Sequence, residues 1–336
     1  MKAVKRICAF IIGLVFFAAG MLKLMDPVGA GLVVEEYFKY LHIAFMMPLA
    51  KAVGVGMALL ETLLGAALLA GVWPRVVGPG AGIVILAFTG LTLNLWIANP
   101  AMDCGCFGQA VHLTHFQSFI KNLALCALWL VAYLPMRSVP VPRKVKYVSF
   151  SIAAVSILAF AGYSLMRIPA FDFTAFKPGS TLMQAQPVPS PDSPLLSICD
   201  SCGEYCDELL AEGTVLVVSA YDYDKLSPET LAGLDAFMEA MPVRTMLIGS
   251  GSGLPESAWS SDRRTLMTLN RSNGGATLFS DGLVVAKWPA RKLPEASELS
   301  ALSELDATEA MMKANIPRRM KTEAFLLYVT AVLLLL

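Results

Sequence analysis

Asp103-Cys104-Gly105-Cys106-Phe107-Gly108 stands between two long apolar runs, residues 76–98 and 116–135. A dithiol with one intervening residue closes into a disulfide only as a small strained ring, and Gly105 supplies the backbone freedom that a side chain would block. Strain makes such a bond easier to reduce and therefore more oxidising. The spacing suits a bond that is passed on better than one that staples a fold. A Gly-rich turn with two incidental thiols, or half of a metal site, has the same outline in sequence.

The chain around this stretch has 336 residues, no formal net charge and 56% hydrophobic residues. Only 15% are charged, against roughly 25% in a soluble protein. That composition defines a membrane protein with a soluble part, and its neutrality argues against nucleic acid as a partner. Five of the seven cysteines (Cys104, Cys106, Cys199, Cys202 and Cys206) fall in two clusters outside the apolar runs. Such clusters mean redox or metal chemistry, or the framework of an oxidising compartment. Cys8 and Cys126 lie inside apolar runs and read as small buried apolar residues.

Toward the N-terminus, Lys2, Lys5 and Arg6 precede an uncharged run over residues 7–22. Lys23, Asp26 and Pro27 follow instead of a small-residue cleavage site, so the run reads as a first membrane helix, extended by a snorkelling Lys23. In residues 29–49, Val34, Tyr37, Phe38 and Leu41 share one helical face and Glu35, Glu36, Lys39 and His42 lie off it. This predicts an amphipathic helix, lying in the membrane interface or packed on protein. Further spans are predicted over 52–72, broken only by Glu61, over 76–98, over 116–135, which contains Lys121, and over 147–166. Each is about 20 residues, enough to cross ~30 Å of hydrocarbon.

Lys2, Lys5, Arg6, Arg75, Arg137, Arg143, Lys144 and Lys146 fall on one side of this arrangement, which the positive-inside rule makes cytoplasmic. The expectation is an inner-membrane, multi-pass protein with a cytoplasmic N-terminus. Residues 103–108 and everything after residue 166 would then face the periplasm, both cysteine clusters in one oxidising compartment.

Residues 168–194 read as a Pro-rich linker. Beyond it, residues 196–199 and 204–206 flank the turn signal Asp200-Ser201-Cys202-Gly203, which predicts a hairpin. Residues 215–220 and 243–248 read as buried strands, 228–241 and 255–270 as helices, and 276–288 as a hairpin with an Asp281-Gly282 turn. That order is thioredoxin-like. Residues 324–336 are apolar but short for a span, and read as a terminal helix or the start of a sixth span. The predicted architecture is a membrane α-helical bundle of four or five transmembrane helices plus an α/β thioredoxin-like extracytoplasmic domain. Its divisions are 1–137 (four-helix membrane domain), 138–167 (fifth helix), 168–194 (linker), 195–300 (thioredoxin-like domain) and 301–336 (C-terminal helical segment).

The stretch Gly-Leu-Val-Phe-Phe-Ala-Ala-Gly-Met-Leu-Lys-Leu-Met-Asp-Pro over 13–27 resembles the first helix of the DoxX-like and methylamine-utilisation MauE membrane families. Glu61 with Gly65, and Cys-Gly-Cys-Phe-Gly over 104–108, match the MauE type. Asp172-Phe173, Lys177-Pro178-Gly179 and residues 262–288 resemble a longer Bacteroidetes variant with a thioredoxin-like domain fused behind. The resemblance implies a redox-associated inner-membrane protein, since MauE is linked to maturation of a disulfide-rich dehydrogenase subunit. The thioredoxin-like part departs from an active thioredoxin. Ala220-Tyr221-Asp222-Tyr223-Asp224-Lys225 stands where Cys-x-x-Cys would be, and Asn273-Gly274-Gly275 where a cis-proline would be.

The candidate redox residues are therefore Cys104 and Cys106, with Cys199, Cys202 and Cys206 as a second dithiol or a local disulfide whose pairing the spacing leaves open. Gly105, Glu61 and Lys121 support the first pair. An ionisable Glu61 at mid-membrane is costly and marks function, a structural ion pair or a neutral carboxyl bonded to a backbone carbonyl, with Lys121 as a candidate partner. Asp103 would disfavour a neighbouring thiolate. His112 and His115, spaced as two ligands on one helical turn, offer with Cys104 and Cys106 a zinc or copper alternative. Three functions follow as expectations. The first is thiol–disulfide exchange with an extracytoplasmic client protein or thioredoxin-like partner, a lipid quinone between the helices being the candidate electron sink although no quinone motif marks the sequence. The second is a non-enzymatic assembly or binding subunit, and the third is metal handling.

Overall fold

The computed structural model describes residues 2–134, 143–183, 193–200 and 202–336. Arg137, Ser201 and residues 184–192 of the expected linker lie outside the described residues. The chain divides into two compact units, Met1–Met166 with Leu326–Leu336, and Arg167–Phe325.

The first unit is helical. It contains α1 (Lys2–Met25), α2 (Pro27–Tyr40), α3 (Ala50–Ala70), α4 (Pro74–Ala98), the short strand β1 (Cys106–Gln109), α5 (His115–Tyr133) and α6 (Lys144–Leu165). Among the described residues, five helices are long and apolar enough to cross a membrane: Ala3–Met25, Ala44–Ala70, Pro74–Ala98, His115–Tyr133 and Lys144–Leu165. Their ends follow local chemistry. Asp26 caps α2 by accepting from the Gly29 N–H at 2.9 Å, with Pro27 at the first helical position. Thr114 and Gln117 close a reciprocal capping box at the start of α5.

The axis of this unit is the contact of α1 with α3. A methyl group on Gly20 would lie 2.2 Å from Thr62 Oγ1, and one on Gly65 would lie 2.3 Å from the Phe17 nitrogen. Only glycine at these points lets the two backbones approach, as in other membrane-helix pairs joined by small residues. α2 buries Val28, Ala30, Leu32, Val34 and Phe38, the last two in a cluster with Ala50 and Val53 of α3. This face of α2 is therefore packed on protein, the second of the two placements expected for residues 29–49. Cys8 packs with Phe16, Leu68 and Ile85 in the core between α1, α3 and α4.

The second unit is a five-stranded sheet in the order β4-β3-β2-β5-β6, from β2 (Thr214–Ala220), β3 (Arg244–Gly249), β4 (Trp259–Ser260), β5 (Gly275–Ser280) and β6 (Leu283–Trp288). β3 runs parallel to β2 and β4, while β5 and β6 are antiparallel additions. The intervening helices are α7 (Pro228–Glu239) and α8 (Arg263–Leu269), followed by α9 (Ala296–Ser303), α10 (Ala307–Ala314) and α11 (Ile316–Leu335), whose residues from Leu326 on belong to the first unit. Alternation along β2 feeds two cores. Val215 and Val217 meet Leu266 and Leu269 of α8 on one face, and Leu216 meets Leu299, Leu302 and Phe237 on the other. A strand buried on both faces carries no polar alternation, which is why residues 215–220 read as an apolar run, with Ser219 its one polar residue.

Three expectations change here. The helix expected over 255–270 is confined to Arg263–Leu269, because Asp262 caps it and Trp259–Ser260 pairs instead with Ile248 and Gly249 of β3. The stretch 168–183, expected as part of a linker, is built into the domain: Phe176 and Leu182 are core residues, and the Leu182 N–H donates to the Gly282 carbonyl at 2.9 Å. Its Asp172 forms a 2.8 Å ion pair with Lys287 and lies 3.5 Å from Arg318. Burial raises the Asp172 carboxyl, and the two cations more than reverse this, leaving it at about 2. Finally, the apolar C-terminal stretch belongs to a helix that begins at Ile316, well before residue 324.

Candidate functional site

The site lies in the helical unit. The close approach of α1 and α3 sets Lys23 opposite Glu61, and the Lys23 ammonium donates to both carboxylate oxygens, at 2.7 and 2.8 Å. Glu61 is only 2% exposed. The bidentate pair satisfies a buried charge that would otherwise be costly at that depth. This corrects two expectations: Lys121 does not pair with Glu61, and Lys23 does not snorkel outward, because the glycine-lined interface turns Lys23 into the bundle. Lys121 instead holds its ammonium 5.0 Å from the Phe107 ring centroid, next to the cysteine loop.

That loop follows α4. Gly105 has φ +62, and a methyl group there would lie 2.2 Å from Val33 Cγ1. The position therefore needs glycine both for its left-handed backbone and for its contact with α2. The Tyr37 hydroxyl donates to the Cys104 carbonyl at 2.6 Å and fixes the loop to α2. The two sulfurs, Cys104 Sγ and Cys106 Sγ, are 3.0 Å apart as free thiols. Cys104 is buried and Cys106 half-buried.

The two thiols are not equivalent. The hydrogen bond from Cys104 lowers the Cys106 thiol, the Lys121 ammonium adds to this against the effect of burial, and Cys106 falls to about 5. The same hydrogen bond, together with burial, pushes Cys104 far up. The sulfur–sulfur contact moves Cys106 toward the thiolate and Cys104 toward the neutral thiol. Asp103, expected to oppose the thiolate, lies 3.2 Å from His112 Nδ1 on the exposed side of the loop.

A cavity of about 200 Å³ adjoins the pair. Cys104, Cys106, Lys121 and the Lys23–Glu61 pair contribute to its wall, and most of the remaining lining is aliphatic or aromatic. Asn122 Nδ2 donates to Thr92 Oγ1 and to the Phe88 carbonyl, both at 3.2 Å, joining α5 to α4 beside the cavity.

The metal alternative does not assemble. His115 Nε2 is 3.0 Å from the Pro100 carbonyl, and α5 begins at His115, so His112 is not on a shared helical turn. Among the described residues no three His, Cys, Asp or Glu side chains converge as a ligand group.

In the second unit, Cys199 pairs with Tyr205 in an antiparallel bridge, and the Cys206 N–H donates to the Ile198 carbonyl at 2.8 Å. The expected hairpin is present, and Asp200 Oδ1 holds its turn by accepting from the Cys202 and Glu204 amides. Cys202 is exposed, and all three cysteines are free thiols. Cys206 is pushed up, by desolvation first and by the Asp200 and Glu204 carboxylates, against a backbone hydrogen bond at Asp200 that lowers it. At the end of β2, where the sequence lacks Cys-x-x-Cys, Asp222 forms a 2.7 Å ion pair with Arg263 and another of 3.1 Å with Lys225.

Sequence reasoning missed Lys23 as the counter-ion and Tyr37 as the anchor of the loop. The signal for Lys23 was its place one helical turn beyond Gly20, on the face that the small residues press against α3.

Fold and site together define a polytopic helical membrane protein with a polarised dithiol beside an apolar cavity, joined to an α/β unit. Residues 1–135 match the model of the family described as methylamine utilisation protein MauE. The matched stretch contains the whole constellation of Lys23, Glu61, Cys104, Cys106 and Lys121. No curated protein matches the chain.

Proposed function

We propose that the protein is an inner-membrane thiol–disulfide exchange protein acting on extracytoplasmic clients through Cys104 and Cys106. The observation that carries this reading is the pair itself: two free sulfurs 3.0 Å apart in the loop after α4, Cys104 buried and Cys106 half-buried. In the oxidising direction, a client thiolate attacks the Cys104–Cys106 disulfide, and a mixed disulfide forms as one cysteine leaves. The client's second thiol then releases the pair as a dithiol and departs as a disulfide, so two electrons and two protons pass from client to pair.

The basic residues of the N-terminus and of the loops after α3 and α5 support a cytoplasmic N-terminus, with the cysteine loop and the α/β unit in the periplasm. The sheet order, with α7 and α9 on one face and α8 on the other, supports a thioredoxin-like reading of the second unit. Its Cys199, Cys202 and Cys206 form a second thiol cluster that could exchange disulfides in the same compartment.

One observation favours a second reading, a non-enzymatic assembly subunit. The Asp222–Arg263 ion pair occupies the end of β2 where an active thioredoxin would carry its dithiol. The double variant Cys104→Ser/Cys106→Ser separates the two. Client thiols, mapped by mass spectrometry in native membranes, should accumulate reduced while the variant remains folded in the membrane. Full client oxidation by the double variant would leave the assembly reading in place.

A further inference from the structure

The dithiol has a wall of its own to work against. The cavity beside Cys106 is bounded by α2 residues such as Val34 and Phe38 and by α4 residues such as Phe88 and Leu91. At its rim Leu41 is 50% exposed. Two groups from α5, Lys121 and Asn122, supply polarity at the same end as the cysteines. A polypeptide substrate entering such a space would leave its backbone amides facing hydrocarbon without hydrogen-bond partners, at a cost of several kcal/mol each. The occupant must therefore be largely apolar and carry few polar atoms, placed to meet Lys121 and Cys106. Size sets a second bound. A cavity of about 150 Å³ holds one benzene, so about 200 Å³ accommodates a single substituted ring, with any longer chain leaving at the Leu41 rim. Stoichiometry sets a third: closing Cys104 and Cys106 into a disulfide releases two electrons, which need an acceptor that takes both.

We infer that this cavity binds a lipid-soluble quinone, its ring against Cys106 and a ring oxygen toward Lys121, and that the quinone reoxidises the Cys104–Cys106 pair. The inference rests on the thiol-exchange reading and names its electron acceptor. The Cys106 thiolate adds to a ring carbon, and Lys121 stabilises the negative charge that develops on the ring oxygen. The Cys104 thiol then attacks the Cys106 sulfur. The S–S bond forms as the C–S bond breaks, and the electron pair of that bond stays with the ring. The Cys104 proton and one proton from solvent end on the two ring oxygens. The products are a disulfide, oxidised by two electrons, and a hydroquinone, reduced by two. The roles are asymmetric: Cys106 attacks and Cys104 resolves.

The test uses the full chain, reduced and freed of quinone, in lipid nanodiscs, with decylubiquinone as the probe. Quinone reduction is followed by ultraviolet absorbance and thiol state by mass spectrometry. The inference expects one quinone reduced per pair oxidised. Cys106→Ser should give neither product. Cys104→Ser should stop at a quinone adduct on Cys106, because the resolving thiol is gone. Leu91→Trp, which fills the cavity from α4, should slow quinone reduction by about tenfold. A wild-type pair oxidised by glutathione disulfide but untouched by decylubiquinone would overturn the inference and leave the thiol-exchange reading standing. Oxidation by neither would remove both. Quinone reduction at the wild-type rate in a folded Leu91→Trp variant, or an adduct found on Cys104 in place of Cys106, would overturn the assignment to this cavity.

Discussion

At Cys106 the decisive quantity is charge. An unperturbed thiol ionises near 8.5, and the hydrogen bond from Cys104 with the Lys121 ammonium brings Cys106 to about 5. Other charged or titratable groups interacting with it are Lys23, Glu61 and Tyr37. Because the folded value lies below the unfolded one, the thiolate contributes stability that is complete above the ordinary thiol range and is lost as pH falls through about 5. Reactivity follows the same curve. Iodoacetamide should alkylate Cys106 at neutral pH and cease as pH drops through that value, while Cys104 stays unlabelled. A midpoint in the ordinary thiol range, read by peptide mass spectrometry, would show that the pair is not polarised. The two cysteines and the need for Gly105 were legible in the sequence, because spacing alone constrains a short loop. Their inequality was not, because it depends on Lys121, which arrives from another helix, and on a sulfur–sulfur contact that no spacing specifies.

At the scale of helices, the contact of α1 with α3 places Glu61 in a defined ion pair with Lys23. That Glu61 would face the interior followed from the cost of a carboxylate at mid-membrane. The wrong cation was expected because sequence carries no distances between spans. The interface is chosen by Gly20 and Gly65, whose backbones approach α3 and α1 too closely for any side chain. Breaking one member of a buried pair strands the other, typically at about 3–5 kcal/mol, whereas an apolar replacement of both can be nearly neutral. Glu61→Gln should therefore lower the thermal midpoint in detergent more than the double variant Lys23→Met/Glu61→Leu does. Additive losses across that cycle would mean that the two residues act independently.

At the scale of the molecule, the five apolar helices and the strands β2 and β3 were readable from length and hydropathy, as was the Asp281-Gly282 hairpin. What stayed hidden were the two-residue strand β4 beside β3, too short to carry a strand pattern, and the burial of residues 168–183, whose proline content disguised the core residues Phe176 and Leu182. Orientation is carried by the basic residues alone, and Cys202 gives it a direct readout. It is an exposed thiol of the α/β unit, so a membrane-impermeant maleimide should label it in spheroplasts without permeabilisation. Labelling that appears only after the membrane is opened would reverse the orientation and place the unit in the cytoplasm.

The ion pair between Asp172 and Lys287 joins residues 115 positions apart. Asp172 leaves the ribosome soon after α6, and its counter-ion comes late, with the last strand of the sheet. Gly179, Leu182 and Val284 exchange backbone hydrogen bonds across the same gap, directly or through their neighbours. The first part of the α/β unit to be synthesised is thus among the last to find its place. Residues 172–182 cannot make these native contacts during translation until the final hairpin has been synthesised.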